Sequence, residues 1–279
     1  MKNLSEKGLL VNLKISHWSG KKNDKEIAKD VETQHNTTNA GRYKKNLIDD
    51  TLLKVVHSKS AEIRRFVWEN TMPWGDNGDR LLPTAHYMDF CASFRDLQSD
   101  FWDAVNDYLA AYPNLVVDAK ARLKTMFRAK DYPTDDRMKN KFNLDVAFEQ
   151  IANLDDFRIQ VNQKEMAKLK AQMEQDFGQR LVGATKDIWD RIKETVGHMV
   201  QKLSEDKPRF HDTMITNIAK LVELLPALNI TGDPDIASAV NSMKSLVVDP
   251  GNLRTNTPFR NQKAKEAQAI LKKFESYMD

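Results

Sequence analysis

Residues Asn162 to Asp206 contain no proline, and Met166, Leu169, Met173, Phe177, Leu181, Ile188, Ile192, Val196, Met199 and Leu203 recur through them at helical spacing. Their period of about 3.7 keeps the apolar stripe on one face of a nearly straight helix and sets no demand for a left-handed supercoil. At about 1.5 Å per residue such a helix is on the order of 60 Å long, more than a compact domain needs. The expectation is a protruding or dimer-forming arm, or a break at a glycine. Gly178, Gly183 and Gly197 each cost about 1 kcal/mol against alanine, so they mark close helix crossings or a hinge.

The rest of the chain is mainly helical with a little strand. Leu10 to His17 alternates, with Val11, Leu13 and Ile15 on one side, and Lys141 to Phe148 does the same through Phe142, Leu144, Val146 and Phe148. Trp74 to Asp79 contains Asn77-Gly78, a hairpin turn signal. Together they predict a small N-terminal sheet or hairpin, with Trp18, Trp68 and Trp74 in its core. Helices are expected over Asn46–Glu69, from Thr84 to Tyr112 with a stop at Pro113, and from Asn114 to Arg128. Further helices follow over Phe210–Leu225, Asp233–Val247 and Pro258–Met278, and the polar loop Asp249–Thr257 is expected to leave the last of them mobile. The fold class is mainly α (α+β), a helical bundle with one long helix. Its expected organisation is an N-terminal domain over 1–160, a long-helix bundle over 161–250 and a basic tail over 251–279.

Ten glycines and nine prolines in 279 residues exclude collagen-like and low-complexity classes. No apolar run reaches the roughly 18 residues of a membrane span, the first residues lack the apolar core of a signal peptide, and Cys91 has no second cysteine to pair with. No membrane partner and a cytoplasmic location are therefore expected.

The net charge of +3 hides a strong segregation, because residues 120–141 carry +5 and residues 71–119 carry −6. The basic stretch holds Lys120, Arg122, Lys124, Arg128, Lys130, Arg137, Lys139 and Lys141, with Phe127 and Tyr132 among them. A second group is Arg42, Tyr43, Lys44 and Lys45, and a third is Arg254, Arg260, Lys263, Lys265, Lys272 and Lys273, with Phe259, Phe274 and Tyr277 nearby. Cations interleaved with rings suit single-stranded nucleic acid, since phosphates attract Lys and Arg while unstacked bases need a ring. The same residues on a helical protein also make an ordinary solvated face. Tyr43, Tyr132 and Tyr277 are the stacking candidates.

Catalytic signatures are missing from the sequence. Glu32-Thr33-Gln34-His35 has the carboxylate–imidazole spacing of a di-iron bundle, but that site needs the motif twice and further glutamates. The six histidines are scattered, with neither a zinc set nor a phosphate-binding glycine loop. A non-enzymatic protein without cofactor or metal is expected.

The segments Leu10 to Gly20 (LVNLKISHWSG), Arg42 to Leu47 (RYKKNL) and Ala85 to Met88 (AHYM) resemble a family of tailed-phage early proteins, formerly of unknown function. The family includes the single-stranded DNA-binding RNA polymerase cofactors of phages that carry a virion RNA polymerase. The resemblance covers mainly residues 9–160. It implies a helical fold, binding of single-stranded DNA and recruitment of a phage RNA polymerase, and it carries no defined binding motif. The expected function is sequence-tolerant single-stranded DNA binding as a cofactor of that polymerase in early or middle transcription, or in replication, in the infected host cytoplasm. A homo-oligomer is expected as well. The alternative from another class is a helical scaffold or adaptor for a partner ATPase or polymerase, with the long helix as its docking arm.

Overall fold

The computed structural model describes residues 6–49, 51–75, 77–151, 163–205 and 209–277. The chain forms two compact units, one of Met1–Asn12, Trp68–Phe90 and Ala147–Asp279, the other of Leu13–Val67 and Cys91–Val146. They do not follow the three consecutive segments expected from the sequence.

In chain order the described elements are β1 (Gly8–Ser16), β2 (Lys21–Asn23), α1 (Lys25–Gln34), β3 (Lys44–Asn46), α2 (Thr51–Asn70), β4 (Met72–Pro73), β5 (Arg80–Pro83) and α3 (Tyr87–Leu123). They continue through α4 (Asp135–Lys139), β6 (Asn143–Gln150), α5 (Gln163–Leu203), α6 (Thr213–Leu228), α7 (Pro234–Met243), α8 (Pro250–Thr255) and α9 (Thr257–Lys273). The architecture is mainly α with a small antiparallel sheet, as the periodicities predict. The sheet runs β4-β5-β1-β6. β1 meets β5 with Gly8 opposite Pro83 and Val11 opposite Arg80, and the Trp74 N–H donating to the Asp79 carbonyl closes the β4–β5 turn.

In the first unit α5 packs against α6, α9 and β4. Ile188, Ile192, Val196, Met199 and Leu203 are buried there, as are Ile218, Leu225 and Leu228 of α6 and Ala267 and Ile270 of α9. The helix is unbroken over 41 residues. A Cβ added at Gly178, Gly183 or Gly197 meets nothing within 4 Å, so these glycines mark neither a close crossing nor a break. The mobile C-terminal loop is also corrected. Asp249 and Asn256 cap α8 and α9, accepting from the N–H groups of Asn252 and Phe259, and Leu253 and Phe274 are buried in the core.

Two prolines lie inside helices that they were expected to end. Pro113 sits within the 37 residues of α3 and Pro226 within the 16 of α6, and both are exposed. Each missing hydrogen bond therefore falls on a solvent side, while buried Tyr108, Tyr112 and Ala119, or Leu225 and Leu228, hold the helix across it. The tryptophans also divide. Trp74 is buried against Phe177, but Trp68 is 57% exposed under the Arg80 guanidinium, and Trp18 belongs to the other unit, where its ring meets Tyr108 and Tyr112. No described helix is long and apolar enough to cross a membrane.

Candidate nucleic-acid interface

Two of the three basic groups come together in the second unit, and Lys45 is the residue that joins them. β2 and β3 pair antiparallel, with Lys22 opposite Lys45. Between the strands runs α1, whose N-cap Asp24 accepts from the N–H groups of Glu26 and Ile27. Lys45 is 1% exposed, and its ammonium donates to Asp24 Oδ2 at 2.7 Å, to Asp131 Oδ2 at 2.9 Å and to the Met126 carbonyl at 3.0 Å. Lys22 donates to the other oxygen of Asp131 at 2.7 Å, and Arg128 makes a bidentate pair with Glu26 and lies 3.7 Å from Asp24. Three cations meet three carboxylates, so the network balances.

These pairs hold both carboxyls below their usual range. The Lys45 hydrogen bond is the main cause for Asp24, opposed by burial. At Asp131 burial pushes upward, but the bonds from Lys22 and Lys45 outweigh it. Burial also pulls the Lys45 ammonium down, and the two aspartates more than reverse that.

Around this network the segment after α3 folds back onto β3. Lys124 takes a left-handed backbone (φ 47°), and the chain then makes short 3-10 turns in place of the expected continuation of the helix to Arg128. Arg122 donates to the carbonyls of Asn46 and Leu47, and the Tyr132 hydroxyl donates to Leu47 as well. The Tyr132 ring stacks on Phe127 at 4.9 Å, and the Tyr112 hydroxyl reaches the Pro133 carbonyl.

The result is a cleft of about 770 Å³ lined by residues 129–134, Arg137, Asn140 and Lys141. Lys130, Arg137 and Lys141 on its walls are exposed, as are Lys120, Lys124 and Lys139 on the same segment and Arg42, Tyr43 and Lys44 at the start of β3. None of these cations makes an ion pair among the described residues. Lys45 and Arg128 are removed from the expected phosphate-binding set, because Asp24, Asp131 and Glu26 neutralise them. Tyr132 is removed as a free stacking ring, since Phe127 covers one face and its hydroxyl is engaged, although it still lines the cleft. Arg122 directs its donors to backbone carbonyls.

The C-terminal group lies in the other unit and is largely structural. Lys263 is 9% exposed, bonded to Glu266 and the Ser245 carbonyl. Arg254 pairs with Asp212, Arg260 donates to the carbonyls of Leu253 and Arg254, and Lys273 reaches the Ser238 hydroxyl. Tyr277 stacks on Trp189 at 5.0 Å and donates to Asp235, so its ring is not a free platform either. Lys265 and Lys272 are exposed.

Asp24 and Asp131, the carboxylates that neutralise Lys45, are not among the residues singled out from the sequence. A signal for Asp24 existed, since it precedes Glu26 and the apolar Ile27, Ala28 and Val31 as an N-cap should. Asp131 had none, because its partners lie 86 and 109 positions away. The Glu32/His35 pair brings no further ligand with it: Glu32 accepts from the Ala40 N–H, and no group of three metal-binding side chains occurs among the described residues.

No curated protein and no solved structure matches this chain. One family model does, described as a protein of unknown function (DUF3150), and it covers residues 6–230. With most of its length matched, the chain belongs to the DUF3150 family.

Proposed function

We propose that this protein binds single-stranded DNA with little dependence on sequence, through the cleft of residues 129–141, and acts without catalysis as a cofactor of a phage RNA polymerase. The observation that carries the binding is the placement of Lys130, Arg137 and Lys141 on one cleft, exposed and uncompensated, after the neighbouring Lys45 and Arg128 have been neutralised internally. Uncompensated cations along a groove release counterions when phosphates replace water, which is the main source of sequence-tolerant affinity. Tyr43, 41% exposed at the start of β3, is the ring left for base stacking. The polymerase role and the infected host cytoplasm rest on the resemblance of residues 9–160 alone.

The test is fluorescence anisotropy of labelled single- and double-stranded oligonucleotides of equal length, titrated at about 50 and 200 mM salt. The expected result is a single-strand affinity that falls steeply with salt and drops for Arg137→Ala/Lys141→Ala but not for Lys265→Ala/Lys272→Ala. Absence of single-strand binding, or equal loss in both double variants, overturns the assignment.

A further inference from the structure

Lys21-Lys22-Asn23 and Lys44-Lys45-Asn46 are the same tripeptide, and they pair with Lys21 opposite Asn46, Lys22 opposite Lys45 and Asn23 opposite Lys44. Identical sequences in that antiparallel register are related by a local two-fold axis through the Lys22–Lys45 pair. Side chains alternate across a strand, so Lys22 and Lys45 share one face of the ribbon while Lys21, Asn23, Lys44 and Asn46 share the other. Two lysines directly opposite each other repel. Asp131 answers this on the inner face by accepting from both, and Asp24 adds a second carboxylate at Lys45. The ribbon is thus anchored and neutralised from behind.

The outer face is different. All four of its residues are exposed, two ammonium groups and two carboxamides arranged as a symmetric Lys/Asn, Asn/Lys square, with no apolar member. No carboxylate among the described residues pairs with Lys21 or Lys44. A carboxamide offers a donor and an acceptor side by side, which matches the major-groove edge of adenine, and an ammonium matches the two acceptors of guanine. A two-stranded ribbon is one of the two elements that the major groove of B-form DNA admits.

We propose that the β2–β3 ribbon is a duplex-reading element that enters the major groove and presents Lys21, Asn23, Lys44 and Asn46 to base edges. This activity goes beyond single-strand binding and does not depend on the cleft. The local two-fold axis specifies the ligand further: the preferred duplex is a short inverted repeat, because each half of the ribbon presents the same pair of side chains.

The experiment uses the full chain and a pool of duplexes with about eight randomised central base pairs, bound at about 100 mM salt, with the retained DNA sequenced. Wild type is expected to enrich a short inverted repeat. Asn23→Ala/Asn46→Ala removes two exposed carboxamides and is expected to lower the preference for that repeat over random duplex by about tenfold or more. Lys21→Ala/Lys44→Ala is likewise expected to lower that preference, and to weaken random duplex as well through the two charges lost. Circular dichroism and urea midpoints verify that the variants stay folded. No enrichment by wild type, or enrichment that persists in the asparagine double variant, overturns the proposal. Arg137→Ala/Lys141→Ala is expected to weaken single strands and keep the enrichment, so failure of the cleft and failure of the ribbon are told apart.

Discussion

Replacing Lys45 by methionine keeps the length of the side chain and removes its charge, which isolates what the buried ion network contributes. The substitution deletes hydrogen bonds to Asp24, Asp131 and the Met126 carbonyl. It leaves two carboxylates whose side chains are only 3% and 4% exposed. Breaking a buried pair by removing one partner costs about 3–5 kcal/mol, most of it the penalty of the stranded charge. Here Asp24 keeps the N–H groups of α1 and the nearby Arg128, and Asp131 keeps Lys22, so the expected loss sits at the lower end, about 3 kcal/mol. A chain with two compact units need not unfold in one step, so urea unfolding is combined with hydrogen exchange by mass spectrometry over residues 24–47 and 124–132. The loss is expected to localise to those peptides. The triple variant Asp24→Asn/Lys45→Met/Asp131→Asn retains an N-cap acceptor for α1 and leaves no carboxylate stranded, so it is expected to recover most of the stability. A loss under about 1 kcal/mol for Lys45→Met, or a triple variant no better than the single one, refutes the assignment of the network as the anchor of the cleft.

Acid tests the same network with a defined sign. Asp24 and Asp131 titrate lower in the folded chain than when unfolded, so their stabilisation is complete above the usual carboxylate range and is lost as pH falls through the folded values. Lys45 titrates higher when folded, so its share is present below the usual lysine value and disappears only as pH rises through the raised one. Exchange protection of residues 24–47 is therefore expected to stay level between about pH 5 and 9 and to fall in acid; a loss centred near neutrality contradicts this. In the cleft, each phosphate contact removed is expected to flatten the single-strand salt dependence by about 0.7 in log–log slope, so Arg137→Ala/Lys141→Ala lowers it by about 1.4, and an unchanged slope excludes both residues from the site. In α5, Gly178→Ala and Gly183→Ala place a methyl where nothing lies within 4 Å and are expected to stabilise by about 1 kcal/mol each, with any destabilisation in urea refuting the open geometry.

Elements with a strong internal period are legible from the order of residues alone. The alternation of Leu10–His17 corresponds to β1, that of Lys141–Phe148 to β6, and the stripe from Met166 to Leu203 to α5. Prolines mislead because a chain read one residue at a time does not say which side of a helix faces water. Pro113 and Pro226 are tolerated on exposed positions, with buried neighbours on either side. The basic clusters are legible as composition but not as chemistry. Eight cations in residues 120–141 look equivalent in sequence, yet Arg128 is engaged by Glu26 and Arg122 by two carbonyls, and only tertiary structure makes that distinction. Lys45 looks like its neighbour Lys44, because the alternation that buries one and exposes the other runs for only three residues.

The division of the chain into interleaved units has a consequence for how it is made. Residues Leu13–Val67 and Cys91–Val146 complete one unit while the other still lacks everything after Val146. On a ribosome the unit carrying the cleft and the ribbon has all its residues before α5 to α9 exist, whereas the core of the other unit waits for helices encoded far downstream. Gly8 to Val11 find β5 early, but the core that buries Leu81 also contains residues of α5, α6 and α9. No single cut in the gene separates the units. Truncation from the C-terminus as far as Gln150 keeps every described strand but also keeps Trp68–Phe90, which belongs to the other unit, so a stand-alone form of the unit that carries the cleft requires Val67 to be joined to Cys91.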